Sequence, residues 1–120
     1  MTELEQIALE RDMWRQRYEQ LVSPPRLPTI HAIIQVVADE LKISTALIRG
    51  PVRDAKVCRA RQIAMYLARQ LSGKSLPQIA KVMGDRDHTT VMHGVNKIAR
   101  LRAADANLDA LITRLEGLVS

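Results

Sequence analysis

The run Arg86-Asp87-His88-Thr89-Thr90 places five hydrogen-bonding side chains in succession. Arginine only donates and aspartate only accepts, while histidine and threonine do both. That mixture suits recognition of another hydrogen-bonding surface. It does not suit catalysis. The groups available for chemistry would be His31, His88, His93, Asp87 and Cys58. His88 and His93 stand five apart, a poor match to one helix face, and no carboxylate pair accompanies them. No catalytic residue, no enzyme activity, no metal site and no cofactor are expected. Cys58 is the single cysteine, which rules out an intrachain disulfide and disfavours a thiolate zinc site.

The elements that must position this run have the form of a helix-turn-helix. Ser75 and Gln78 have the spacing of a capping box, with Pro77 tolerated in the first turn, so a short helix is expected from Leu76 to Met83. Gly84-Asp85-Arg86 reads as a turn. Asp87 then caps a longer helix to Ala103 or Ala104. On that helix Val91, Val95 and Ile98 recur at helical spacing and face a core. Thr89, Thr90, His93, Asn96, Lys97 and Arg100 face away. Gly94 lowers helix propensity by about 1 kcal/mol against alanine, which predicts close packing, with Ala80 of the preceding helix as the expected neighbour. An exposed helix face of this composition matches the donors, acceptors and thymine methyl groups of the DNA major groove. The first residues of the second helix do the reading in such motifs.

Charge points to the same partner. The chain has 120 residues and a formal net charge of +5, which suits a polyanion or an anionic membrane surface. Three arginines against five acids make residues 1–22 net negative, so the basic character lies in the rest. Residues 49–74 hold Arg49, Arg53, Lys56, Arg59, Arg61, Arg69 and Lys74 with one acid, Asp54. Such a segment supplies salt-dependent affinity for phosphates, and a loop arginine such as Arg53 can enter a narrow minor groove. The only aromatic residues are Trp14, Tyr18 and Tyr66, too few to stack single-stranded RNA bases.

With no phenylalanine, the core must be aliphatic, which favours helix packing over a sheet. The expected fold is all-α: a helical bundle containing the helix-turn-helix, preceded by a separate N-terminal helix. Further helices are expected over Thr29–Leu41, Ser44–Ile48, Lys56–Leu71 and Asp105–Leu118. Residues 1–22 form the N-terminal segment. Within it Leu4, Ile7, Trp14, Tyr18 and Leu21 fall on a heptad seam broken at Arg11, which suits a homodimer or a protein partner bound through residues 3–22, the alternative being a helix folded back on the main domain. Residues 23–28 hold three prolines and read as a semi-rigid linker. Residues 29–120 form the main domain. The acidic start is unlike a signal peptide, and no apolar run is long enough for a membrane span, so a cytoplasmic, nucleoid-associated protein is expected.

Three blocks carry a family resemblance: Arg59-Ala60-Arg61-Gln62-Ile63-Ala64-Met65, Ser75-Leu76-Pro77-Gln78-Ile79, and Gly84-Asp85-Arg86-Asp87-His88-Thr89-Thr90-Val91-Met92-His93. Over residues 29–119 the chain resembles the C-terminal DNA-binding domain (domain IV) of DnaA, the bacterial chromosomal replication initiator. The resemblance implies a helical bundle that binds a short asymmetric site, the DnaA box. It implies base contacts by Asp87, His88, Thr89 and Thr90 in the major groove and by Arg53 in the minor groove. Arg61, Gln62, Arg69, Pro77 and Lys97 fall at or near base or backbone contacts. Lys56, Arg59, Ser75, Arg86 and His93 complete the expected backbone-contacting set. Two departures stand out. The family commonly has a Gly-Gly pair where this chain has Gly84-Asp85, and its loop is often more basic than the stretch around Gly50-Pro51 and Asp54.

DnaA also carries an ATPase module. Gly73-Lys74-Ser75 resembles the end of a phosphate-binding loop, but Ala68 stands where that loop needs glycine, so nucleotide binding is not expected. The expected function is sequence-specific binding of double-stranded DNA by a transcriptional regulator. The alternative is a replication initiation factor or competitor at DnaA boxes, and a helical adaptor is a more distant one.

Overall fold

The computed structural model describes residues 27–119, and these are all-α. Six helices follow one another: α1 (Ile30–Leu41), α2 (Thr45–Arg49), α3 (Ala55–Leu71), α4 (Leu76–Val82), α5 (His88–Ala104) and α6 (Ala106–Val119). The helix expected over residues 3–22, and most of the linker after it, lie outside the described residues.

Side-chain caps explain where the helices begin. A helix leaves its first N–H groups without partners, and a Ser, Thr or Asp oxygen satisfies them. Thr29 Oγ1 accepts from Ala32 N at 3.0 Å to start α1. Ser44 Oγ accepts from Leu47 N at 3.1 Å to start α2. Asp54 Oδ1 accepts from Lys56 N at 2.9 Å and Val57 N at 3.4 Å. The one acid of the basic segment is therefore the cap of α3, which begins a residue earlier than expected. Asp105 Oδ1 accepts from Asn107 N at 3.0 Å and Leu108 N at 3.3 Å, so this single residue separates α5 from α6.

α3 is the central helix. From Ala60 to Ala68 it is buried except at Gln62, because α1, α2, α4 and α5 all pack against it. α1 contributes Ile30, Ile33, Ile34, Val37 and Ala38 to the core. α6 adds Leu108, Ile112 and Leu115, and its far side is open. Tyr66 closes the core between α3 and α5, with its hydroxyl accepting from Arg102 Nη1 at 3.1 Å. Arg102 also pairs with Asp109 at 2.7 Å and Glu116 at 2.6 Å. These carboxylates, Asp109 above all, hold its guanidinium more firmly charged than usual. The Arg102 cluster and the Arg114–Glu40 pair at 3.0 Å fasten α6 to α5 and α1.

Candidate nucleic-acid interface

α4, the turn after it and α5 form the helix-turn-helix. Its capping box is complete: Gln78 N donates to Ser75 Oγ at 3.3 Å, and Ser75 N donates to Gln78 Oε1 at 2.9 Å. Ile79, Ala80 and Met83 are buried and anchor α4.

Two successive left-handed residues then reverse the chain, Gly84 at φ 88° and Asp85 at φ 59°. Glycine is required at the first. A Cβ on Gly84 would lie 2.1 Å from the Arg49 carbonyl oxygen, a distance no packing adjustment accommodates. Aspartate tolerates left-handed backbone better than most residues, which is how Gly84-Asp85 forms this turn. Arg86 N donates to Ala80 O at 2.9 Å and Asp85 N to Lys81 O at 3.2 Å, which closes the turn onto α4.

Asp87 caps α5, accepting from Thr89 N at 2.7 Å. The hydrogen bonds from Thr89 hold its carboxyl below the ordinary carboxylate value. His88 Nδ1 lies 3.6 Å from the same carboxylate oxygen. Asp87, His88, Thr89, Thr90, His93, Asn96, Lys97 and Arg100 are all exposed, while Val91, Gly94 and Ile98 are buried on the opposite side. The expected division of faces is present. One exposed residue breaks the polar face: Met92, 38% exposed, lies one helical turn after His88. The sequence reading passed over it, although its phase, off the Val91–Val95–Ile98 stripe, was the available signal. It offers an apolar surface of the kind a thymine methyl group contacts.

Gly94 packs closely, but not against Ala80. A Cβ there would meet Met65 Sδ at 3.1 Å and Gln62 Cγ at 3.5 Å, so the neighbour is α3. Helix periodicity shows that a face is buried without saying against which helix. The close approach leaves a groove of about 330 Å³ between α3 and α5. Gln62 of α3 meets Thr90, His93 and Lys97 of α5 along it.

The other expected site residues fall into three groups. Arg53 is exposed in the loop between α2 and α3, and its side chain has no hydrogen-bond partner among the described residues. Arg69, Ser75 and Pro77 are exposed around the start of α4, where Arg69 Nη1 donates to Lys74 O at 3.3 Å. Lys56 and Arg59 lie on a different side of α3, lining a groove with Leu108 and Leu111 of α6. The structure does not bring this last pair to the α5 groove.

Arg61 and Arg86 line the same α3–α5 groove, and their side chains are also engaged by backbone carbonyls within the protein. Arg61 is only 6% exposed. Its Nε donates to Ile48 O at 2.7 Å, and its Nη2 reaches Leu47 O at 3.1 Å, Gly50 O at 2.7 Å and Val52 O at 3.0 Å. It satisfies the carbonyls that α2 leaves at its C-terminus, a requirement no local pattern discloses. Arg86 Nε donates to Met83 O at 2.8 Å, and its Nη2 bonds Gly50 O. Burial, with Arg61 nearby, makes its guanidinium less basic than usual.

Comparison with known proteins agrees with this geometry. A family described as bacterial DnaA protein helix-turn-helix matches residues 30–98, from the start of α1 to the last buried residue of α5. The chain belongs to this family. It is 48% identical over 83 residues to the chromosomal replication initiator protein DnaA of Cereibacter sphaeroides, a match covering 69% of this chain and 18% of that protein. With the DnaA of Gloeobacter violaceus it shares 39% identity over 98 residues, 79% of this chain and 22% of that one. A crystal structure of a DNA replication initiation factor superposes with a TM-score of 0.68 at 27% identity, over 92% of this chain and 31% of that one. The match to each DnaA relative thus spans about a fifth of that protein's length.

Proposed function

We propose that the protein binds double-stranded DNA sequence-specifically at a site like the DnaA box. α5 enters the major groove with Asp87, His88, Thr89 and Thr90 at the base edges, and Arg53 reaches the adjacent minor groove. The observation that carries this reading is the capped, exposed polar face at the start of α5, set on a platform that also presents Arg53. Gln62, His93 and Lys97 along the α3–α5 groove suit a phosphate of the flanking backbone, where cations add salt-dependent affinity. The protein acts by occupying a site rather than by catalysis, in the cytoplasm at the nucleoid. Among the described residues no helix is long and apolar enough to cross a membrane.

On this reading the protein is a transcriptional regulator, with residues 3–22 as the segment that pairs two copies or meets a protein partner. An effect on promoters would come through occupancy and through that segment. A replication role is favoured by a different observation, the names of the relatives, which are replication initiators. Selection of bound duplexes from a random pool tests the DNA reading, and failure to enrich any sequence refutes it. Genome-wide binding separates the roles: peaks at promoters support the regulator, and peaks confined to the origin refute it.

A further inference from the structure

The carbonyl oxygen of Gly50 accepts hydrogen bonds from two arginines of different elements. Arg61 reaches it from within α3 at 2.7 Å, and Arg86 reaches it from the turn before α5. Two more contacts join the same regions. Arg49 Nε donates to Val82 O at 3.0 Å, and Gly84 packs against the Arg49 carbonyl so closely that no side chain fits. The loop after Gly50 leads directly to Arg53, and the turn ending at Arg86 leads directly to Asp87 and α5. The two DNA-reading segments are thus bridged through one peptide carbonyl, although they lie far apart in sequence.

We propose that Arg61 and Arg86 are positioning residues that hold the Arg53 loop at a fixed place relative to α5, so that the minor-groove contact adds to affinity only while this bridge is intact. The inference rests on the DNA-binding reading above. Its physical basis is entropy. A loop held in place before binding loses little freedom on contact, whereas each backbone residue that must be ordered lowers affinity on the order of tenfold. Lysine at position 86 would keep the positive charge but lose the planar fork that serves Met83 O and Gly50 O together. A direct phosphate contact would survive that change in large part, and a bridge would not.

The test uses the full chain and the duplex it enriches from a random pool. Binding is measured by fluorescence anisotropy for wild type, R53A, T90A, R86K and the doubles R86K/R53A and R86K/T90A. R86K is expected to bind about tenfold more weakly at unchanged charge. R53A should weaken wild type about tenfold but R86K by less than about threefold, while T90A should weaken both backgrounds equally. R86K binding within about threefold of wild type, or R53A being equally damaging in both backgrounds, overturns the proposal. Should R86K lose helical signal by circular dichroism, R61K takes its place, since Arg61 is the other donor to the Gly50 carbonyl. An undiminished R53A effect in R61K then counts against the bridge. A readout without DNA keeps this separate from the function itself: NMR order parameters of Val52 and Arg53 should fall from about 0.85 to below about 0.6 when the bridge is cut. Unchanged order refutes the bridge even if DNA binding holds, and a wild type that enriches no duplex refutes the function and not the bridge.

Discussion

His88 and Thr90 stand on the exposed side of α5 within its first turn, and Lys97 lies two turns further along beside the α3–α5 groove. Residues that read base edges and residues that meet phosphates fail differently when removed. His88→Ala and Thr90→Ala should each cost about 1–3 kcal/mol on the preferred duplex and relax preference at one position. Lys97→Ala should weaken all duplexes evenly and reduce the slope of log affinity against log salt by about one. Gel shifts on preferred and scrambled duplexes check both, and a His88→Ala protein that still discriminates like wild type would show that α5 is misassigned. Asp87 adds a dependence on pH. Its folded-state carboxyl sits below the ordinary value of 3.8 because Thr89 donates to it. A depressed acid contributes stability that is full above the unfolded value and is lost as pH falls through the folded one. The melting temperature of Asp87→Ala should therefore trail wild type at neutral pH, and the gap should begin to narrow below about pH 4 and close as pH falls through the lower folded-state value, where wild type loses the same charged cap. A gap that stays constant down to pH 2 would refute the capping role. These residues were legible in advance because caps and exposed faces are local features: Ser75 with Gln78, Asp87, and the polar run of α5 all declared themselves by spacing. Arg61 and Arg86 did not, because a cation in a sequence looks the same whether it faces a phosphate or a buried carbonyl.

At the scale of elements, the interface depends on the turn that aims α5. Gly84 lies at φ 88° with the Arg49 carbonyl where a Cβ would go. Left-handed backbone alone costs a side chain about 1–3 kcal/mol, and the overlap with α2 adds to it. Gly84→Ala should therefore lower stability by more than that strain alone in urea denaturation, and it should weaken DNA binding even where the protein remains folded. An alanine variant as stable as wild type would mean that α2 and the turn are not in contact. The position of Gly94 teaches a complementary lesson. Its small size correctly signalled close packing, but the partner proved to be Met65 and Gln62 on α3 rather than Ala80. Helix periods assign faces within one element, whereas the pairing of faces depends on how α3 sits among four neighbours, which is a property of the assembled core. The same holds for Lys56 and Arg59: they belong to the basic segment by sequence but to the α6 side of α3 in space.

For the whole molecule, the question is what residues 1–22 add to the helical bundle of residues 30–119. Thr29 caps α1, and the core cluster among the described residues runs from Ile30 to Leu115. The proposed reading residues on α5 and the Arg53 loop lie within the same span of the chain. Deletion of residues 1–22 should therefore leave the affinity of a single domain for a single site within about threefold. Removing five acids and three arginines makes the remainder more basic, so any change at low salt should be toward tighter binding. Self-association should be lost instead. If the heptad positions Leu4, Ile7, Trp14, Tyr18 and Leu21 pair two copies, the full chain should scatter light as a multiple of 13.5 kDa and the truncated chain as a monomer. A duplex with two sites should then bind the full chain more tightly than the truncated one, through effective concentration alone. If the full chain is monomeric at the same concentration, a homodimer is excluded there, which leaves a different protein partner or a helix folded back on the main domain. If instead truncation abolishes binding to a single site, the N-terminal segment is part of the reading surface, and the division between a reading domain and an association segment fails.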